Sequence, residues 1–274
     1  MRLLGLLAWI LVFAPEPARA DEDVRPPRLR PTLVFETGLA YVAQNDGRYG
    51  ATGTAFEAKD VGQQDNLARV SRASIEVASG RHTAILLYAP FQLTTVVTLD
   101  SDLQFRDQLF AAGSVVQHRY LFDGYRASYL YRVLDRARVK LEIGGSLQIR
   151  NADVAFTSGD GTRQANQSDI GLVFAAKARL WWKPNRDRGA WAALEADALS
   201  TFGLIDGVSG GIYDLGLAVG HPIGRGVDLM LVTRLLGGGA TVESQNIDNW
   251  ANFISFTAGA RISLDRLLSS AGDR

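Results

Sequence analysis

VKLEIGGSLQI, residues 139–149, alternates strictly: Val139, Leu141, Ile143, Gly145, Leu147 and Ile149 against Lys140, Glu142, Gly144, Ser146 and Gln148. Period-two alternation makes a β-strand with one apolar and one polar face. The run is about twice the ordinary ~5–6 residue strand of soluble proteins. It matches the ~9–11 residues that a tilted strand takes to cross a bilayer.

Similar runs recur along the chain, near 32–44, 66–78, 83–94, 114–133, 138–150, 168–182, 190–200, 211–220, 227–237 and 251–265. The connections alternate in length. Short ones fall at 79–82, 134–138, 183–189 and 221–226, and longer ones near 45–65, 95–113, 151–167, 201–210 and 238–250. Within 95–113 the stretch VVTLDSDLQF is itself strand-like. Short turns on one side, long loops on the other and an even strand number are the pattern of transmembrane barrels. The expectation is an all-β, single closed antiparallel transmembrane β-barrel of about ten strands over 32–265, with eight and twelve as alternatives. Pro90 interrupts the third strand and is expected at an edge or bulge. An apparent change of face near Asp123-Gly124 calls for a bulge in the fourth. Gly237-Gly238-Gly239 reads as a bend ending the ninth.

Residues 1–20 read as a cleaved signal peptide: Arg2, an apolar core from Leu3 to Ala14, then Ala18-Arg19-Ala20, with cleavage after Ala20. The apolar run is too short for a spanning helix. Residues 21–31, DEDVRPPRLRP, form a charged, proline-rich leader, and 266–274 a C-terminal tail. Lys+Arg and Asp+Glu are each 29, which gives no support for nucleic-acid binding. The chain has no cysteine, so disulfides and thiolate metal sites are excluded.

Three features turn the apolar face outward, to lipid. The polar face is rich in small residues (Gly38, Ala40, Gly144, Ser146, Gly171, Ala175, Gly216, Ala218, Gly259 and Ser263), as the inside of a narrow barrel requires. A water-washed surface would carry more than Lys59, Lys140, Lys177 and Lys183. Aromatic residues gather where strands would leave the hydrocarbon: Tyr129, Tyr131, Trp181, Trp182 and Trp191 beside the short turns, and Tyr41 and Trp250 at the opposite rim. These make two girdles. Finally, Thr257 to Leu264, TAGARISL, resembles the C-terminal assembly signal of outer-membrane barrels, although Asp265 to Arg274 follow where that signal usually ends in an aromatic residue. At this level the chain resembles the small outer-membrane β-barrel proteins of Gram-negative bacteria. The resemblance implies a cell outer-membrane location, with outer-membrane lipid, lipopolysaccharide and the barrel assembly machinery as partners.

By parity, Glu36, Arg132, Lys140, Glu142, Lys177, Arg179, Glu195, Asp197 and Arg261 line the lumen. Lys177 is expected beside Glu195 and Asp197, Glu142 beside Arg132, and Glu36 facing Arg261 across the closing seam. Such pairs suit a salt-bridged filling better than a conducting pore, because a barrel of this size is largely filled by side chains. Catalytic chemistry is sparse. His82 and His221 fall at short turns. His118 with Ser114 lacks an orienting third group and does not reproduce the His-x-Ser arrangement of lipid A deacylases and outer-membrane phospholipases. No Asp/His cluster like that of the omptin proteases is present. Ser158–Thr162, SGDGT, has too few carboxylates for calcium. No metal or cofactor is expected. The reading is a non-enzymatic barrel with a structural, surface-binding or narrow-passage role. A lipid-modifying hydrolase using His118 and a soluble periplasmic apolar-ligand barrel are the alternatives.

Overall fold

The computed structural model describes residues 28–61, 67–184, 189–201, 204 and 206–269. The signal peptide, most of the leader and the last five residues of the tail lie outside them. Ten long strands run antiparallel in chain order: β1 (Arg30–Tyr49), β2 (Leu67–Ser79), β3 (His82–Ala89 continuing as Gln92–Thr98), β4 (Val115–Asp135), β5 (Val139–Ser158), β6 (Gln164–Trp182), β7 (Trp191–Ser200), β8 (Val208–Gly224), β9 (Val227–Val242) and β10 (Ile247–Ser263). β10 pairs back onto β1 from Thr32↔Ser263 to Tyr49↔Ile247, so the sheet closes into a barrel. The helix Leu264–Ser269 follows, so the start of the C-terminal tail is helical.

The exterior is apolar. Leu172, Phe174, Leu231 and Phe256 are each about two-thirds exposed, and Ile143, Leu147 and Ile149 of the organising strand all face outward. Each such side chain would forgo ~1.5–3 kcal/mol if left in water. Inside the same wall lie Lys177, Arg179, Asp197 and Asp214, all buried. Charge inside and grease outside is the reverse of a soluble barrel, and it excludes a soluble apolar-ligand carrier built on this lumen. No helix of the described residues is long and apolar enough to cross a membrane; the strands make the crossing. Glycine permits the tight wall: a Cβ at Gly144 would run into the Tyr129 carbonyl, and one at Gly38 into that of Phe256.

Two local expectations are corrected. The Asp123-Gly124 bulge is absent: β4 pairs with β5 without slippage from Val116↔Ser158 to Arg132↔Glu142, and the shift comes lower, between Arg132 and Leu134. Even-numbered residues face inward throughout. What changes at Gly124 is the solvent. Below it the inward face carries Arg126 and Ser128, and above it Val116, His118, Tyr120 and Phe122. The outward face switches in the opposite sense, from Tyr125 and Tyr129 to Gln117 and Arg119. β4 leaves the bilayer there, ~11 residues above its lower end, as a tilted crossing requires. The glycine run 237–239 does not end β9, which continues to Val242; Gly237 instead lies under Tyr213 and Asn252, whose side chains a Cβ would strike.

Residues 95–113 partly form strand, as VVTLDSDLQF suggested. Gln92–Thr98 extends β3, and Leu103–Phe105 pairs with Gln108–Phe110 as a hairpin. This hairpin folds into the outer mouth. Arg106 N–H donates to the Tyr49 carbonyl (2.8 Å), and Arg163 Nη1 donates to the Leu109 carbonyl (2.9 Å). Leu99, Leu103, Phe105 and Phe110 bury against Tyr49, Phe56, Val116 and Phe156 to form an apolar plug.

Candidate functional site

The lumen between plug and lower opening is filled by ion pairs in two tiers. In the upper tier Asp214 accepts from Arg234 Nη1 (2.8 Å), Arg126 Nη1 (2.9 Å) and Arg72 Nη2 (3.4 Å). Asp197 accepts from Lys177 Nζ (2.7 Å), Arg126 Nη1 (3.0 Å) and the Ser146 hydroxyl. Lys177 stands directly opposite Asp197 and also approaches Glu195 (3.8 Å). In the lower tier Glu142 accepts from Arg179 Nε (2.8 Å) and lies 3.7 Å from Arg132. Glu76 is held by Arg179 (3.0 Å) and Arg261 (2.9 Å). Buried charges persist only when paired and hydrogen-bonded. Here each carboxylate bridges guanidinium or ammonium groups from different strands, so the network ties the wall together across the bore.

The closing pair differs from expectation. Arg261 stands opposite Val34 and Glu36 opposite Gly259, a two-residue offset that separates them. Arg261 turns to Glu76, while Glu36 accepts from the Thr257 hydroxyl (3.2 Å) and approaches Arg234 (3.9 Å). Lys140 sits at the lower opening, half-exposed, 3.8 Å from Asp135. The residues missed from the sequence are Arg72, Glu76, Arg126, Asp214 and Arg234. Asp214 shares parity with Gly216 and Ala218 on a face already recognised as inward, so the alternation carried that signal.

The aromatic residues divide. Tyr41, Tyr129, Tyr131 and Trp182 are exposed on the outer wall, and Trp250 lies on the outward parity near the outer rim, half-buried. Trp191 is buried and Trp181 lies inside with it, so neither belongs to a girdle. Their rings meet edge to face at 5.1 Å. Trp181 Nε1 donates to Glu142 (3.3 Å), Trp191 Nε1 to Asp228 (2.9 Å), and the Arg261 guanidinium stacks 4.8 Å over Trp181. An indole with its N–H on a carboxylate is at home in a charged lumen.

His118 sits in the plug above the bilayer, stacked on Phe156 at 4.7 Å, with neither ring nitrogen hydrogen-bonded. Burial pushes its pKa down to about 4. Ser114 lies four residues along the same extended strand edge, some ~13 Å by strand geometry, beyond the reach of a nucleophile–base pair. In the outer turn, Asp160 accepts from the Ser158 hydroxyl (2.6 Å), the Thr162 hydroxyl (2.8 Å) and the Thr162 N–H (3.0 Å), bonds that hold its pKa down to about 2. That carboxylate closes its own turn. No group of three or more His, Asp or Glu placed to hold a metal exists among the described residues. Above the ion pairs, beside the plug, a cavity is lined by Tyr120, Phe122, Asp153, Asp169, Asp214 and Trp250, among others.

No known family model matches the sequence, and no characterised protein matches it significantly. Solved structures with a similar chain path include the attachment invasion locus protein Ail of Yersinia pestis in complex with the heparin analogue sucrose octasulfate (12% identity, 85% of this chain and 99% of that one, TM-score 0.39). The outer membrane protease OmpT of Escherichia coli (10%, 85% and 96%, 0.46) and Neisserial surface protein A (12%, 84% and 96%, 0.31) are others. At these scores the likeness adds nothing to what closure, strand order and the apolar exterior already show: a membrane-spanning barrel of the outer-membrane type.

Proposed function

We propose that the protein is an integral outer-membrane barrel without enzymatic activity, closed to ions, whose work is done by binding at its outer mouth. The observation that carries this reading is the Asp197–Asp214 tier. Six charged side chains, one each from β2, β4, β6, β7, β8 and β9, would have to separate for an ion to pass, and the apolar plug lies above them. Support for a binding role comes from the mouth cavity, in which aromatic faces and carboxylates lie side by side.

Single-channel recording on purified protein in planar bilayers tests closure. The expected trace is flat at 100 mV, and steady ion conductance overturns the proposal. A hydrolase using His118 is the competing reading, and the absence of any hydrogen-bond partner on that ring weighs against it. His118→Ala is expected to leave lipid A and phospholipid profiles unchanged.

A further inference from the structure

The wall has a break. β2 and β3 pair from Ser79↔His82 up to Ala73↔Tyr88 and no further. Above that point residues 67–72 of β2 pair only with β1, and residues 92–98 of β3 pair only with β4, among the described residues. Pro90 sits where the ladder ends. Phe91 and Phe122 exchange both backbone hydrogen bonds (3.1 and 2.8 Å), so odd-numbered amides of β3 point to β4 and the Pro90 nitrogen points toward β2. The residue that cannot donate therefore occupies the first position with nothing to donate to. Unpaired backbone is not tolerated against lipid unless it borders a cavity or the interface. Both conditions hold, because Pro90 is level in register with Asp123, where the outward face turns from apolar to polar.

Behind the break lies a cavity. Its lining includes Ser71 and Pro90, whose parity is outward, so the cavity reaches the gap itself. Toward the mouth it is walled by Phe91, Phe122 and Phe253, with Phe91 and Phe253 5.0 Å apart. Toward the lumen its charged lining consists of Arg72, Arg126 and Arg234, with no carboxylate. The Nε–H donors of Arg72 and Arg234 are buried and have no hydrogen-bond partner, and the Arg234 side chain is only 7% exposed. Buried donors left unspent are costly, and two guanidiniums that each keep an unpaired Nε–H offer donors to a carboxylate.

From these observations we infer that the cavity binds a single-chain anionic amphiphile, a free long-chain carboxylic acid. Its carboxylate lies on Arg72 and Arg234, its chain lies against the three phenylalanines, and it enters sideways from the outer leaflet through the break between β2 and β3. An acid headgroup matches the unspent donors. One acyl chain suits a cavity closed toward the mouth by Phe91 and Phe253, whose rings meet. The inference requires only that the barrel spans a membrane; acid binding and ion conductance are read separately, so either fails without the other.

The test is native mass spectrometry of the full chain released from a non-ionic detergent after incubation with palmitic acid, with hexadecanol and dipalmitoyl phosphatidylglycerol as parallel probes. The expected result is one palmitate per chain, with at least tenfold higher occupancy than hexadecanol or the two-chain lipid. Arg72→Gln, which leaves Asp214 held by Arg126 and Arg234, is expected to lower palmitate occupancy about fivefold without affecting hexadecanol. Leu87→Trp, which fills the cavity, is expected to abolish the adduct; if that variant loses the heat-modifiable gel shift of a folded barrel, Val70→Phe fills the same space from β2. No adduct, equal occupancy by palmitate and hexadecanol, preference for the two-chain lipid, or binding unaffected by a folded cavity-filling variant each overturns the inference.

Discussion

Asp214→Asn is the sharpest probe of the lumen. The carboxylate is 1% exposed and receives three arginines. Replacing it with a neutral isostere keeps the volume and removes the negative charge they share. Arg126 retains Asp197 at 3.0 Å, but Arg234 is left with Glu195 at 3.4 Å and Glu36 at 3.9 Å, and Arg72 loses its ion pair with Asp214. Breaking a buried pair by removing one partner costs ~3–5 kcal/mol, because the remaining charge is buried without compensation. Removing both sides restores much of that loss, so Asp214→Asn with Arg234→Met is expected to lie within about 2 kcal/mol of wild type. The assay is reversible urea unfolding of the barrel in lipid vesicles, followed by tryptophan fluorescence, with equal slopes required for comparison. A cost below ~1 kcal/mol for Asp214→Asn, the range of exposed ion pairs, would mean the lumen is wet and would refute the sealed-bore reasoning.

Leu231 is two-thirds exposed on β9, four residues above its lower end and so near the bilayer midplane; Leu231→Arg is expected to cost ~2–4 kcal/mol in the same unfolding assay. His118 is neutral in the plug, with its pKa pushed down to about 4, whereas an opened plug returns it to the ordinary 6.5. Plug stability is therefore full above pH 6.5 and falls as the pH drops toward 4, by about 2 kcal/mol at pH 5. Amide exchange over 97–118 should quicken between pH 7 and 5 in wild type and not in His118→Phe. Gly144→Val places a side chain against the Tyr129 carbonyl and should slow or prevent barrel closure, read as loss of heat-modifiable gel migration.

Alternation made most of the fold legible, because a strand between lipid and a charged bore records its two surroundings residue by residue. The lower ends of the ten strands fall within a few residues of their sequence-based positions, whereas at the outer end β1 runs on to Tyr49, β5 to Ser158 and β9 to Val242, above the bilayer. The misreadings share a cause. Residue type points Trp181 and Trp191 to a girdle, but parity puts Trp181 with Lys177 and Arg179, and Trp191 with Glu195, on the lumen face. At Gly124 the reversal of polarity marks an inversion of the environment, not of the face. The Glu36–Arg261 pairing failed because the register across the closing seam is set by the whole circuit of strands rather than by either terminus. The plug was out of reach: Phe105 and Phe156 meet only after five strands have been laid down, and nothing local marks that contact.

The central claim is the orientation of the wall, and the absence of native cysteine allows a direct measurement. Single cysteines at Leu172, Leu231 and Ser146, each carrying a nitroxide, are compared in vesicles for collision with dissolved oxygen and with an aqueous nickel chelate. Labels at Leu172 and Leu231 are predicted to meet oxygen and be shielded from nickel, and the label at Ser146 to be shielded from both. Nickel access at Leu172 and Leu231 that matches or exceeds oxygen access would place the apolar face in water and contradict the account.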